Sequence, residues 1–277
     1  MMAFLANLFG YLLNFIYHIV NNYGIAIILF SILIKLILLP ISIKQQKTMK
    51  KSVAIQEKVR QIQFKYKNNP EQLNKATIEL YKTEKMSPFS GCLSAILQIV
   101  ILFSVFFMVQ SPLTYMTKVD SAVINQYKEE IQQNQQDNGR KNVYPEIQII
   151  KEKGSQDERV HLNMEFLGLD LSSVPISELS DYKVYIIPLL YVISSFISIK
   201  VSNNMSDQNK KKDSNKEPSE MDAVMQANKS MMYVMPIMSV SISMVAPLGL
   251  ALYWLVSNVL MIGEKVILNK VMDSKEE

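Results

Sequence analysis

Long runs of apolar residues alternate along the chain with polar, charged segments. Five runs of at least sixteen residues lie at 24–43, 92–109, 184–199, 231–246 and 248–263. A helix of about 20 residues, rising about 1.5 Å per residue, crosses the roughly 30 Å hydrocarbon core of a bilayer. Membrane-spanning β-strands would be about ten residues long with alternating polarity, which these runs lack. The pattern predicts an all-α polytopic membrane protein with five transmembrane helices.

The first 22 residues have a different pattern. Asn7, Tyr11, Asn14 and His18 follow one another at steps of four, three and four, which place them on one helical face. We therefore expect residues 1–22 to form an external amphipathic helix that lies along the membrane surface. A sixth transmembrane helix is the alternative, because about 18 residues would suffice to cross the bilayer.

The charges of the polar segments predict the orientation. Residues 44–85 carry eleven Lys or Arg and four acidic residues, whereas residues 116–183 carry eight basic and twelve acidic residues. Short loops rich in Lys and Arg remain in the cytoplasm. We therefore expect an external N-terminus and a cytoplasmic C-terminus in a bacterial plasma membrane. The predicted segments are span 1 (23–43), a cytoplasmic helical hairpin (44–88), span 2 (89–110), an external loop (111–182), span 3 (183–200), a cytoplasmic loop (201–229), span 4 (230–246), span 5 (247–268) and a cytoplasmic tail (269–277).

The hairpin and the external loop each contain a segment suited to a surface. Apolar residues at helical spacing on both sides of Asn69 and Pro70 predict two amphipathic helices that meet there. The positive charge of this hairpin suits anionic lipid headgroups, although a solvated basic surface explains much of it. In the external loop, the short apolar stretch "MEFLGLDL" at 164–171 is a candidate for return to the membrane interface.

Groups for covalent, metal or nucleotide chemistry are sparse. The chain has two histidines far apart in sequence, His18 and His161, and one cysteine, Cys92. It has no GxxxxGK phosphate-binding loop. We expect no metal, no cofactor, no DNA partner and no enzyme activity.

Lys35 is the only charged residue within the apolar runs. A charge at the centre of a bilayer costs about 2.5–3.5 kcal/mol on insertion scales, so it requires water or a partner. Because the other runs contain no acidic residue, we expect a water-containing pocket around Lys35. Uncharged polar side chains of several spans are predicted to converge there, although helix packing alone could explain the serines. The candidate pocket residues are Lys35, Ser31, Gln98, Ser198, Tyr253, Trp254 and Asn258.

Several of these segments resemble one known family. They are "YGIAIILFSILIKLILLPISIKQ" (23–45), "GCLSAILQIVILFSVFF" (91–107), "FLGLDL" (166–171) and the run through Tyr253, Trp254 and Asn258. In this order they resemble the YidC membrane protein insertases, with their mitochondrial and chloroplast relatives. The resemblance implies five core helices around a hydrophilic groove that opens to the cytoplasm and the lipid. It also implies that a basic residue in the groove attracts acidic groups near the N-terminus of a substrate.

The sequence departs from the family pattern at several positions. Lys35 matches the family's usual arginine, and this chain has 26 lysines but only three arginines. Prolines common in the second span are replaced by Ser94 and Val100, and a glutamine pair that often ends the third span is replaced by Ser198 and Ile199. These differences predict a groove of altered shape.

The resemblance implies an insertase and chaperone for integral membrane proteins, with Lys35, Ser31, Gln98, Ser198, Tyr253, Trp254 and Asn258 in its substrate-binding groove. The implied partners are nascent membrane proteins, with the Sec translocon, the signal recognition particle receptor, the ribosome and anionic lipid headgroups as further candidates. A small-solute anion transporter and a membrane assembly scaffold are the alternatives. Transporters usually contain internal repeats and broken helices at matching positions, and the sequence indicates neither.

Overall fold

The computed structural model describes residues 2–67, 69–85, 90–135, 144–207 and 241–273. Most of these residues are helical. Short 3₁₀ helices and a two-stranded antiparallel sheet lie between α7 and α8, and residues 241–245 are also helical. The helices and strands are α1 (Met2–Val20), α2 (Tyr23–Lys65), α3 (Pro70–Thr83), α4 (Ser90–Gln110), α5 (Pro112–Tyr115), α6 (Ser121–Gln135), α7 (Pro145–Lys153), β1 (Glu165–Phe166), β2 (Leu169–Asp170), α8 (Ile186–Asp207) and α9 (Leu248–Asp273).

Four of the described helical segments are long and apolar enough to cross a membrane. They are Met2–Val20, Tyr23–Thr48, Tyr182–Ser202 and Leu248–Val271, with mean hydropathies from 1.5 to 2.7. The last three overlap predicted spans 1, 3 and 5. In predicted span 2 the described apolar segment is the shorter Ile99–Gln110. Residues 230–240 of predicted span 4 lie outside the described residues, so the number of five spans stays a prediction.

The longest helix, α2, joins two elements that the sequence separates. It has 43 residues and contains Pro40 in its interior. The side chain of Asn22 caps its N-terminus by accepting a hydrogen bond from the Ile25 amide at 3.0 Å. Predicted span 1 and the first arm of the predicted hairpin are therefore one continuous helix.

The second arm of the hairpin is α3. It begins at Pro70, a residue favoured in the first helical turn, and the Asn69 side chain caps it. The two arms are joined at the far end by lysines of α2. Lys51 Nζ donates to the Glu84 carbonyl oxygen at 2.7 Å, and Lys58 Nζ lies 2.5 Å from Glu84 Oε1.

Helix α1 packs against α2, α4 and α5, and apolar side chains cover both of its faces. The buried face contains Ala6, Phe9, Gly10, Leu13, Ile16 and Tyr17. The exposed face contains Phe4, Leu8, Tyr11, Phe15 and Ile19. Of the predicted polar stripe, Asn7 and Asn14 are only partly exposed, and Asn7 Oδ1 accepts a hydrogen bond from Lys118 Nζ. Both placements of residues 1–22, along the membrane or across it, stay predictions.

The loop between α7 and α8 packs onto the N-terminal ends of α2 and α9. The amide of Tyr23 donates to the Asn163 carbonyl oxygen at 3.0 Å, and the amide of Gly249 donates to the Leu171 carbonyl oxygen at 2.9 Å. Tyr23, Leu171 and Leu248 are each only 1% exposed. Apolar packing therefore fills the space between α2 and α9 at this end of the helices.

Candidate functional site

An ion pair joins α2 to α9. The ammonium of Lys35 contacts Glu264 Oε2, and the two side chains are 29% and 9% exposed, respectively. The expectation that Lys35 has no acidic partner in another span was therefore wrong. The physical reason is that α9 continues as one helix to Asp273, beyond the apolar run that ends at residue 263. Glu264, which belongs to predicted span 5 (247–268) but follows its apolar run, consequently lies beside α2.

A second lysine lies beside the ion pair. Lys265 follows Glu264 in α9, and its Nζ donates to Ser202 Oγ of α8 at 2.9 Å. The lysine ammonium is a strongly hydrated group, and a hydroxyl oxygen satisfies only one of its three donors. The site therefore combines two lysines and one glutamate.

These charged side chains face a cavity of about 610 Å³, which we name the Lys35 cavity. Its walls come from α2, α4, α8, α9 and Ile242 of the helical residues 241–245. The apolar part of the wall includes Ile34, Leu38, Leu97, Ile101, Ile199 and Met261. The polar part contains Ser31, Lys35, Ser42, Gln45, Gln46, Ser195, Ser198, Ser202, Tyr253, Trp254, Ser257, Asn258, Glu264 and Lys265.

The structure brings most of the predicted pocket residues together. Lys35, Ser31, Ser198, Tyr253, Trp254 and Asn258 all line the Lys35 cavity. The side chain of Gln98 lies outside the part of the chain that the structure describes. The sequence did not indicate Glu264, Lys265, Gln46 or Ser202. These four residues could have been found by extending the polar face of each predicted helix, at helical spacing, beyond the end of its apolar run.

Hydrogen bonds link α8 to α9 at the wall of the cavity. Asn258 Nδ2 donates to Ser194 Oγ at 2.9 Å and to Ser195 Oγ at 3.3 Å. The rings of Tyr191 and Trp254 also meet across these two helices, with centroids 6.0 Å apart. Ser194 and Ser195 thus bind a polar partner in addition to packing.

Three buried polar atoms of lining residues have no hydrogen-bond partner among the described residues. They are Gln46 Oε1, Trp254 Nε1 and Glu264 Oε1. Burying an amide or carboxylate atom without a partner is costly, so such atoms are expected to meet water or the polar groups of a ligand. By contrast, the Ser31 hydroxyl donates to the Ile27 carbonyl oxygen of its own helix at 2.7 Å.

Metal binding is not indicated in the described residues. Among them, no group of three His, Cys, Asp or Glu side chains is placed to hold a metal ion.

Comparison with known proteins identifies the family. The model of the family described as "60Kd inner membrane protein" matches residues 15–276. The chain belongs to the 60Kd inner membrane protein family.

Relatives within the 60Kd inner membrane protein family include three bacterial proteins, each named "Membrane protein insertase YidC". The protein of Caldanaerobacter subterraneus subsp. tengcongensis is 44% identical over 110 residues, which cover 40% of this chain and 53% of the relative. The Geobacter metallireducens protein is 28% identical over 99% of this chain and 38% of its own length. The Fusobacterium nucleatum protein is 28% identical over 94% of this chain and 93% of its own length. The chain thus matches about half or less of the first two relatives and nearly all of the third.

Proposed function

We propose that this protein is a membrane protein insertase in which the Lys35 cavity receives a hydrophilic segment of the substrate. Family membership and the names of the relatives support the insertase role. The observation that carries the proposal is a cavity with charged and polar side chains in its wall, between helices that are apolar enough to span a membrane. No covalent chemistry is required for this function.

Desolvation is the barrier that the cavity lowers. A polar tail that crosses hydrocarbon loses its hydrogen bonds to water, at a cost of several kcal/mol for each unsatisfied group. Within the Lys35 cavity the tail instead meets hydroxyl, amide and ammonium groups, including Ser198, Asn258 and Lys35. Because the tail then has only part of the membrane to cross without polar partners, insertion is faster.

Lys35 supplies the charge that favours acidic tails. Its side chain is 29% exposed and lines the cavity. Gln98, Ser31, Tyr253 and Trp254 complete the proposed substrate-binding surface. The apolar helix of the substrate then leaves into lipid beside the exposed side chains of α8, such as Leu189 and Phe196.

The proposed orientation follows the loop charges. The basic hairpin of α2 and α3 lies in the cytoplasm, the N-terminus outside and the C-terminus in the cytoplasm of a bacterial plasma membrane. In this orientation the filled end between α2 and α9 is external, and the groove opens toward the cytoplasm. The Sec translocon, the signal recognition particle receptor, the ribosome and anionic lipid headgroups are proposed partners of this side.

Proteoliposomes with and without the protein test the proposal. The substrate is a purified single-span protein with a short acidic N-terminal tail, and protease protection of that tail measures insertion. We expect insertion to rise with the amount of protein, while efflux of a trapped small anion stays at the rate of empty liposomes. Anion efflux without insertion would favour the transporter alternative, and neither activity would favour a scaffold.

A further inference from the structure

We infer that Glu264 is a placeholder for a substrate carboxylate. In the protein without substrate, the Glu264 carboxylate pairs with the Lys35 ammonium, and an acidic substrate tail must displace it. This inference rests on the proposed function and adds a residue that controls which substrates are accepted.

The ion pair is only half satisfied, which suits it to exchange. Glu264 Oε2 contacts Lys35, whereas Glu264 Oε1 is buried with no partner among the described residues. A stable buried ion pair requires hydrogen bonds to the remaining oxygens as well as the direct contact. Exchange of Glu264 for another carboxylate therefore loses one good contact and gains an equivalent one.

The exposed fractions of Lys35 and Glu264 also support the displacement of Glu264 by a substrate carboxylate. Lys35 is three times as exposed as Glu264, at 29% against 9%, so an incoming carboxylate can approach Lys35 from the cavity. Lys265 lines the same cavity, and Ser202 holds its ammonium through a neutral hydroxyl. Lys265 can accordingly offer a cation to the carboxylate that has been displaced.

Selectivity follows from this exchange. A tail with an Asp or Glu can replace Glu264 at Lys35, because its charge compensates the lysine equally well. A neutral tail cannot, since displacing Glu264 would leave an uncompensated charge in a partly buried site. Neutral tails therefore insert without occupying Lys35, and Glu264 lowers the apparent affinity of the cavity for acidic tails alone.

The test compares two substrates that differ only in the charge of their N-terminal tails. One single-span protein carries two aspartates in its N-terminal tail, and the other carries asparagines in their place. Their insertion rates are measured in proteoliposomes that contain the wild-type protein, Glu264→Gln or Glu264→Asp. Glu130→Gln is the matched control, because Glu130 also pairs with a lysine, Lys153, but lies away from the cavity.

We expect Glu264→Gln to raise the ratio of acidic to neutral insertion about three- to tenfold, the range expected when competition by one partly buried carboxylate is removed. Glu264→Asp retains the charge on a shorter side chain, so the ratio should rise less. Glu130→Gln should leave the ratio unchanged. The melting temperatures of the variants show which of them are folded.

Three results would overturn the inference. If wild type inserts both substrates and the folded Glu264→Gln and Glu264→Asp variants keep the wild-type ratio, Glu264 has only a structural role. If Glu264→Gln does not fold, an unchanged ratio in Glu264→Asp leads to the same conclusion. A wild-type protein that inserts neither substrate overturns the proposed function, and the placeholder role with it.

Discussion

Lys35 of α2 and Glu264 of α9 form an ion pair across the interface of the two helices. Removing one partner leaves a partly buried charge without compensation, so Lys35→Met or Glu264→Gln should each destabilise the protein by about 1–3 kcal/mol. The double variant should be more stable than the sum of the single changes predicts. Unfolding in detergent measures the free energy of unfolding of the wild-type protein, the two single variants and the double variant.

The matched comparison is the Lys151 and Glu178 pair, whose side chains are 41% and 32% exposed. Exposed ion pairs contribute at most about 1 kcal/mol, so its coupling energy should be smaller than that of Lys35 and Glu264. Equal coupling in the two pairs, or strict additivity at Lys35 and Glu264, would contradict a specific buried interaction.

The two partners of this ion pair differed in how far the sequence could predict them. Lys35 was identifiable because it interrupts a continuous apolar run. Glu264 lies within predicted span 5 but directly after its apolar run, so a search for charges within the apolar runs did not include it. Helices end where their backbone hydrogen bonds end, and α9 continues to Asp273. Which helix lies across the cavity from Lys35 is decided by tertiary packing, and the periodicity within one segment does not reveal it.

Close approach between α1 and α5 depends on Gly10. A Cβ atom there would lie 1.9 Å from the carbonyl oxygen of Tyr115, which is backbone and cannot rotate away. Gly10→Ala should therefore lower the unfolding free energy by about 1–3 kcal/mol, the usual cost of overpacking. Thermal unfolding in detergent provides the measurement.

Gly263 is the control for this substitution. It lies inside α9, and a Cβ atom there meets nothing within 4 Å. Gly263→Ala should be neutral or stabilising by about 0.5–1 kcal/mol, because alanine loses less conformational freedom in a helix. A Gly10→Ala protein as stable as Gly263→Ala would show that α1 does not pack against α5 in this way.

Helix α1 illustrates a second limit of the sequence. The spacing of Asn7, Tyr11, Asn14 and His18 correctly places them near one another around a helix, but it does not show which face meets the protein. Because α1 packs on α2, α4 and α5, Asn7 and Asn14 are partly covered. The partner of Asn7 Oδ1 is the distant loop residue Lys118, a contact that a helical wheel cannot represent.

Acid should loosen the hairpin of α2 and α3. The hydrogen bond and charge of Lys58, with the charge of Lys51, hold the pKa of Glu84 below its ordinary value of 4.5. A lowered pKa means that the carboxylate stabilises the hairpin above the unfolded pKa, and that this contribution is lost as the pH falls through the folded pKa. The distribution of distances between spin labels on α2 and α3 should broaden as the pH falls below about 4.5.

Glu84→Gln should abolish this pH dependence and show the broader distance distribution already at neutral pH. Glu71→Gln is the control, because Glu71 is 81% exposed and pairs with Lys75 within α3. Unchanged distances in Glu84→Gln would mean that the lysines of α2 do not hold the hairpin closed.

The turn between β1 and β2 offers a test of the predicted return to the membrane interface. Leu167 is 87% exposed at the tip, with φ at 52°, and Gly168 follows it at 74°. The strands adjoin the N-terminal end of α2, since Asn22 Nδ2 donates to the Glu165 carbonyl oxygen at 2.7 Å. An apolar side chain at this level is expected to enter the interface.

The probe is Leu167→Trp in a Trp254→Phe background, which removes the chain's one native tryptophan. Its fluorescence should shift to the blue and be quenched by brominated lipids in proteoliposomes. Gln132→Trp, on the exposed polar side of α6, should show neither effect. Equal quenching of both probes, or of neither, would contradict an interfacial tip.

The proposed insertase function depends on positive charge at Lys35, and the insertion rate of an acidic-tailed substrate in proteoliposomes measures its effect. Lys35→Glu would oppose Glu264 with a second carboxylate and repel the tail, so insertion should fall by at least about tenfold. Lys35→Arg should retain most of the rate, and so should Lys75→Glu, which makes the same charge change at a side chain that is 77% exposed. Wild-type insertion by a folded Lys35→Glu protein would contradict the proposal that this cation receives the substrate.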